Sequence, residues 1–271
     1  MKLNILLLLL LLTCGFSLQA QDNSPYKTNW KVDGPVTAVG MGLSYYGLTL
    51  MQDKAGLTQE QIGQLNRNDV NSFDRFSAGW DSEQAKTLSD IPFYTSFAMP
   101  FLWVMNDNIR SNAGQVFALY VETMAVTGAL FTMTNGLNPR TRPMIYSADV
   151  DMAEKMRANS RNSFYAGHTA ASASASFFFA KIFHDFNPDS PARPYVWAAA
   201  AAVPATVGYL RLRAGKHFLS DNIIGYTLGA AAGILVPQLH KKTNKMGLSI
   251  APVMGNFMGY RYDGAALGYR F

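Results

Sequence analysis

The chain has 271 residues, 49% of them hydrophobic and only 15% charged, with 22 Gly and 12 Pro. That balance excludes a disordered chain, a collagen and a coiled coil, and the length suits one large domain or two small ones. The net charge of +5, with no long Lys/Arg run, gives no sign of nucleic-acid binding and suits an anionic substrate or an anionic membrane surface.

At the start of the chain, Lys2 precedes Ile5 and the leucine run 6–12, and Leu18-Gln19-Ala20 sets a small residue before a polar start at Gln21. This pattern predicts a secretory signal peptide over residues 1–20, with the protein working outside the cytoplasm. An uncleaved first membrane helix is the alternative, though its apolar centre is short for a span. Cys14 is the one cysteine and lies in this leader, so the mature chain is expected to carry no disulfide and no thiol chemistry. A lipoprotein anchor at Cys14 is disfavoured by Thr13, where such signals carry a smaller residue.

Six uncharged apolar stretches follow, at 34–52, 91–106, 123–139, 169–180, 195–210 and 222–239. They are rich in Ala, Leu, Met and Phe, and several open on Ser, Asp or Asn, which predicts helices rather than strands. The expected fold is therefore all-α, a bundle of about six helices. Their lengths sit near the threshold for crossing a bilayer, so a transmembrane bundle competes with a soluble one of the same composition. The polar segment 52–90 reads as a lid or cap outside the membrane. The expected division is a leader (1–20), an N-terminal helix with the polar insert (21–84), a helical core (85–245) and a tail (246–271). In the tail, apolar and aromatic residues alternate around the turn pairs Gly255-Asn256 and Asp263-Gly264, with Ala265, Leu267, Tyr269 and Phe271 as a last alternating run. This predicts a small C-terminal β-hairpin, with too few strands for a barrel.

Three segments carry chemistry. In "RNSFYAGHTAASASASFFF", Gly167 allows close backbone approach, and a helix starting beside His168 would aim free amides at an anion. In "YLRLRAGKHFLSDNIIGYTLGAAAG", His217 and Asp221 are four apart, so on a helix the carboxylate would accept the Nδ1 proton and leave Nε2 for substrate, with Arg211 nearby. In "TNGLNPRTRPMIYS", Arg140 and Arg142 bracket Thr141 ahead of Pro143, and guanidinium is the planar partner of phosphate oxygens. Taken singly, each has a plainer explanation: a helix-start His on a carbonyl, a surface His–Asp pair, or positive residues fixing topology at a helix end. No His or carboxylate cluster shows metal-ligand spacing, since His184-Asp185 and His240 stand apart, so neither a metal site nor a cofactor is expected.

Together the three segments resemble the type 2 phosphatidic acid phosphatase and vanadium haloperoxidase superfamily. The likeness runs over about 85–240, and the five residues between Arg211 and His217 followed by three before Asp221 are its most specific part. The apolar stretches resemble its membrane phosphatase branch. The resemblance implies that His217 attacks phosphorus to form a phosphohistidine and that Asp221 holds its tautomer. It further implies that His168 protonates the leaving alkoxide and that Arg142 and Arg211 neutralise the transition state, without a metal. The sequence departs from the pattern at Asn135, where the family carries Lys, and at Tyr165-Ala166-Gly167-His168, where it carries Pro-Ser-Gly-His. Arg140 is expected to compensate for the charge lost at Asn135. The expected activity is hydrolysis of a lipid phosphate or diphosphate monoester at the cell envelope, with a phosphorylated lipid and the membrane as partners. A vanadium-dependent haloperoxidase and a non-catalytic protein binding anionic lipid are the alternatives.

Overall fold

The computed structural model describes residues 24–242 and two later strands, 249–257 and 260–268. The predicted leader with Cys14, and Tyr269 and Phe271 of the tail, lie outside the described residues. Nine α-helices occur among the described residues: α1 (Trp30–Gln52), α2 (Gln59–Gln64), α3 (Glu83–Leu102), α4 (Asp107–Arg110), α5 (Ala113–Leu137), α6 (Met152–Lys155), α7 (Gly167–Phe186), α8 (Arg193–Arg213) and α9 (Leu219–Leu239). The six longest, α1, α3, α5, α7, α8 and α9, have 20 to 25 residues, and each of the six uncharged stretches falls on one of them.

Local signals set the helix ends. Asn29 caps α1 by accepting from the Lys31 amide at 3.1 Å, and Thr58 with Gln61 forms a capping box on α2. Pro194 sits in the first turn of α8, where its missing N–H costs nothing.

In the interior α7 packs against α3, α5, α8 and α9, while α1 lies along α5. The α7–α9 contact is made by small residues at four-residue spacing. Gly225, Gly229 and Gly233 of α9 lie against the backbone of Ala166, Ala170 and Ser174, and a Cβ at any of the three would strike a carbonyl oxygen of that row. Spacing of four places these residues on one helix face, so the two backbones approach closely along the whole seam. Two polar bonds pin its upper end: Thr169 Oγ1 donates to Asn222 Oδ1 at 2.7 Å, and the Ala166 amide donates to the Asp221 carbonyl at 3.1 Å. At the far end of the molecule Trp103, Tyr120 and Phe178 pack edge to face over buried Ile109, Val116 and Leu119.

The outer faces are unusually apolar. Val32, Val39, Leu43, Leu48, Phe117, Leu130, Leu235 and Leu239 are all exposed on long helices. Among the described residues, two helices, α5 and α9, are long and apolar enough to cross a membrane.

The insert 52–90 is tied to the body. It holds α2 and two short 3-10 turns, and its buried Asp74 accepts from the Ser220 amide at the start of α9 at 2.9 Å. In the tail, β1 (Ser249–Phe257) pairs antiparallel with β2 (Tyr260–Gly268). The expected turn pairs are not turns: Gly255 and Asn256 sit inside β1 opposite Tyr262 and Arg261, and Asp263 and Gly264 sit inside β2 opposite Met254 and Val253. Glycine within a strand marks a place without a side chain to pack, and here that reading overrides its turn propensity.

Candidate functional site

The predicted site residues gather where α5 ends, α7 and α9 begin and α8 ends. His217 lies two residues before α9 and is only 3% exposed. Its Nδ1 is 2.6 Å from the Ser163 carbonyl oxygen, so Nδ1 carries the proton and Nε2 keeps its lone pair. Burial, then the positive charges of Arg142 and Arg211, hold its pKa well below the usual imidazole value. A neutral imidazole with a bare Nε2 is a competent nucleophile.

The expected Asp221–His217 hydrogen bond is therefore corrected. Asp221 accepts instead from Ser163 Oγ at 2.6 Å, from the Phe218 amide at 2.9 Å and from Arg140. Helical spacing misled because His217 precedes the helix, whereas Asp221 lies inside its first turn. The carboxylate still acts on the imidazole at one remove, by fixing the serine whose carbonyl receives the Nδ1 proton.

His168 is the second residue of α7, with its side chain 31% exposed. Its ring stacks on Phe93 of α3 with centroids 4.0 Å apart, and its Nε2 is 3.5 Å from Asp90 Oδ1. Its charge is among those that act on His217, so the two rings share one neighbourhood. Ala166 caps α7 without a side-chain bond, which leaves the first amides of that helix without a side-chain cap.

Arg142 and Arg211 are both buried. Arg142 Nη2 donates to Asn159 Oδ1 at 3.0 Å and to the Asn162 carbonyl at 3.3 Å, and Arg211 Nη1 reaches only Ser89 Oγ at 3.4 Å. The Nε of each has no hydrogen-bond partner among the described residues, and neither forms an ion pair within them. Burial and the nearby Arg211 push the Arg142 pKa down to about 9. Two desolvated like charges with unused donors are costly unless an anion joins them.

The remaining predicted residues do other work. Arg140 was expected to replace the family's lysine charge, but its guanidinium bridges the buried carboxylates of Asp74, at 2.7 Å, and Asp221, and lies 4.6 Å over the Phe218 ring. Its charge is neutralised there. Burial works against the Asp74 carboxylate, yet hydrogen bonds from Ser220, Asn71 and Arg140 outweigh it and hold its pKa below the usual value. At Gly167 the Phe131 ring packs where a Cβ would stand. Asn135 is fully buried and donates to the Asn162 carbonyl at 3.2 Å.

Sequence reasoning missed Lys54, just beyond α1. Its ammonium donates to Asn162 Oδ1 at 2.8 Å and to the Asn135 carbonyl, and lies 3.5 Å from Asn135 Oδ1. Burial, then the charges of Arg161 and Arg142, lower its pKa to about 8. A positive charge thus stands beside Asn135, the position that lacks one in the sequence pattern. The signal was the pair Asp53-Lys54 closing an uncharged run of helix length, with Lys54 separated by 81 residues from Asn135 and by 108 from Asn162.

The other two histidines differ from their expected isolation. His184 Nδ1 receives the Trp197 Nε1 proton at 3.1 Å and faces Arg193, while His240 Nε2 lies 3.3 Å from Asp33 Oδ1 and 3.5 Å from Glu122 Oε2.

Residues 116–245, just under half of the chain, match the family model of the PAP2 superfamily. Among solved structures, the crystal structure of the first transmembrane PAP2 type phosphatidylglycerolphosphate phosphatase from Bacillus subtilis is similar, at 16% identity and a TM-score of 0.37, covering 90% of this chain and 97% of that one. No curated protein matches.

Proposed function

From the match of residues 116–245 to the PAP2 superfamily model, we propose that this chain is a phosphatase hydrolysing a phosphate or diphosphate monoester of a lipid. The observation that carries the reading is the pair of buried guanidiniums, Arg142 and Arg211, with unused Nε donors, whose charges both act on a neutral His217. Preorganised donors aimed at a tetrahedral anion are the largest expected contribution to phosphoryl transfer.

In this mechanism His217 Nε2 attacks phosphorus and the P–O bond to the lipid breaks, giving a phosphohistidine. His168, open to the outside, gives its proton to the leaving alkoxide. The same imidazole then takes a proton from water as the water attacks phosphorus and releases His217 with inorganic phosphate. Arg142, Arg211 and the first amides of α7 hold the equatorial oxygens. The Ser163 carbonyl, steadied by Asp221, accepts the hydrogen bond from Nδ1–H throughout and stabilises the developing imidazolium.

The exposed apolar faces and the span-length helices α5 and α9 support a membrane bundle of the six long helices. The leader-like sequence supports a site on the extracytoplasmic side. Phosphate release from a panel of lipid phosphates in detergent, with a chelator present, tests the reading. Activity is expected in the wild type and lost in His168→Ala and His217→Ala. Release that is equal in wild type and His217→Ala overturns it in favour of anionic-lipid binding without catalysis.

A further inference from the structure

Across the molecule from the phosphate site, at the other end of α9, three potential ligands converge that the proposed chemistry does not use. Asp33 comes from the first turn of α1, Glu122 from α5, and His240 from the C-cap of α9. The 21 residues of α9 separate this cluster from Asp221 by about 30 Å of helix.

We propose that Asp33, Glu122 and His240 form a binding site for one divalent transition-metal ion of the zinc type, which clamps the start of α1 and the end of α9 onto α5. One donor atom from each residue lies within 4.8 Å of the other two. His240 Nε2 is 3.3 Å from Asp33 Oδ1 and 3.5 Å from Glu122 Oε2. Ligands bound at about 2.0–2.2 Å around a tetrahedral zinc are separated by about 3.3 Å, so the cluster is already near ligand spacing.

The atoms not offered to the ion are fixed elsewhere. His240 Nδ1 is 2.8 Å from the Val236 carbonyl, which puts the proton on Nδ1 and turns the Nε2 lone pair toward the two carboxylates. Asp33 Oδ2 accepts the Asn29 amide at 2.6 Å, leaving Oδ1 toward the histidine. Glu122 is only 6% exposed, and its Oε2 has no hydrogen-bond partner among the described residues. A buried carboxylate oxygen without a hydrogen bond, 3.5 Å from a ring nitrogen, is stabilised by positive charge between the two, which a metal ion supplies. An imidazole with two carboxylates selects a borderline first-row ion over Mg²⁺ or Ca²⁺, and water completes the coordination.

The full-length protein in detergent is stripped with a chelator and titrated with Co²⁺, whose visible absorption reports tetrahedral ligation, and with Zn²⁺ by calorimetry. One ion per chain is expected, with intense Co²⁺ bands displaced by Zn²⁺ and unaffected by millimolar Mg²⁺ or Ca²⁺. Glu122→Gln and His240→Ala are expected to weaken Zn²⁺ binding by at least a hundredfold. Absence of stoichiometric binding to the wild type overturns the proposal without any variant having to fold. Unchanged affinity in both variants, or displacement of Co²⁺ by Mg²⁺, overturns it equally. The outcome is independent of phosphate release, which is read from His168 and His217.

Discussion

Replacing Lys54 by Met tests whether a residue outside the matched segment supplies the charge that Asn135 lacks. The Asn135 carbonyl and Asn162 Oδ1 take two of the three ammonium protons, and the 3.5 Å approach to Asn135 Oδ1 is too long to hold the third firmly. That third donor is available to a phosphate oxygen, and a hydrogen bond to a charged group contributes about 1.5–3 kcal/mol. Loss of this amount from the transition state lowers kcat/KM by roughly ten- to a hundredfold. The double variant Lys54→Met/Asn135→Lys, which brings an ammonium from α5 instead, is expected to recover most of it. The pH profile gives a second signature. With its pKa lowered to about 8, Lys54 is charged below that pH and neutral above it, so substrate affinity in the wild type should fall as pH rises through 8. In Lys54→Met the fall near pH 8 should vanish, leaving only the later loss near pH 9 that Arg142 brings. The assay is steady-state phosphate release from pH 6 to 10; a variant within twofold of wild type and with the same limb refutes the reasoning.

Arg140→Ala removes the counter-ion of two carboxylates whose side chains are 0% exposed, and breaking such a pair costs about 3–5 kcal/mol, so thermal unfolding in detergent should shift strongly downward. An unchanged Tm with lost activity would instead make Arg140 a phosphate ligand. Ala166→Ser places a hydroxyl at an extended N-cap that has no side-chain bond, which should stabilise the protein by about 1 kcal/mol and raise phosphate release. A higher Tm without higher turnover would limit the hydroxyl to capping. Gly229→Leu drives a side chain into the Ala170 backbone and is expected to abolish a monodisperse folded species by size exclusion, whereas Leu228→Ala, one residue along on the outer face, should not. Normal folding of Gly229→Leu would show that the seam is looser than its geometry.

The long helices were legible because uncharged runs of that length have few other uses, but their ends were not. The run at 123–139 stops short of the true start of α5 at Ala113 because Glu122 interrupts it, and that glutamate is buried rather than solvated. Similarly, α3 starts eight residues before Ile91, since its first turns carry charge. His168, His217, Arg142 and Arg211 were singled out by local spacing and by the family resemblance, and the fold brings them to one end of the bundle. What spacing could not separate was Arg140 from Arg142. The difference lies in Asp74, 66 residues away on the insert, whose buried carboxylate captures the first guanidinium and leaves the second free of any carboxylate. The expected Asp221–His217 bond failed for a local reason: the i, i+4 rule holds only if both residues are helical. Lys54 and the Asp33–Glu122–His240 cluster depend on contacts between distant elements, which no periodicity encodes.

The α7–α9 seam has a consequence for alignment. A row of glycines repeated every four residues offers almost the same groove at each step, so sliding one helix past the other by about 6 Å would bury a similar surface. Shape alone is a poor ruler. The polar pair Thr169–Asn222 and the amide of Ala166 act as the detent that selects one notch, and they sit beside His168 and His217 rather than at mid-helix. Mutating that detent would leave the helices in contact but put the two imidazoles out of step.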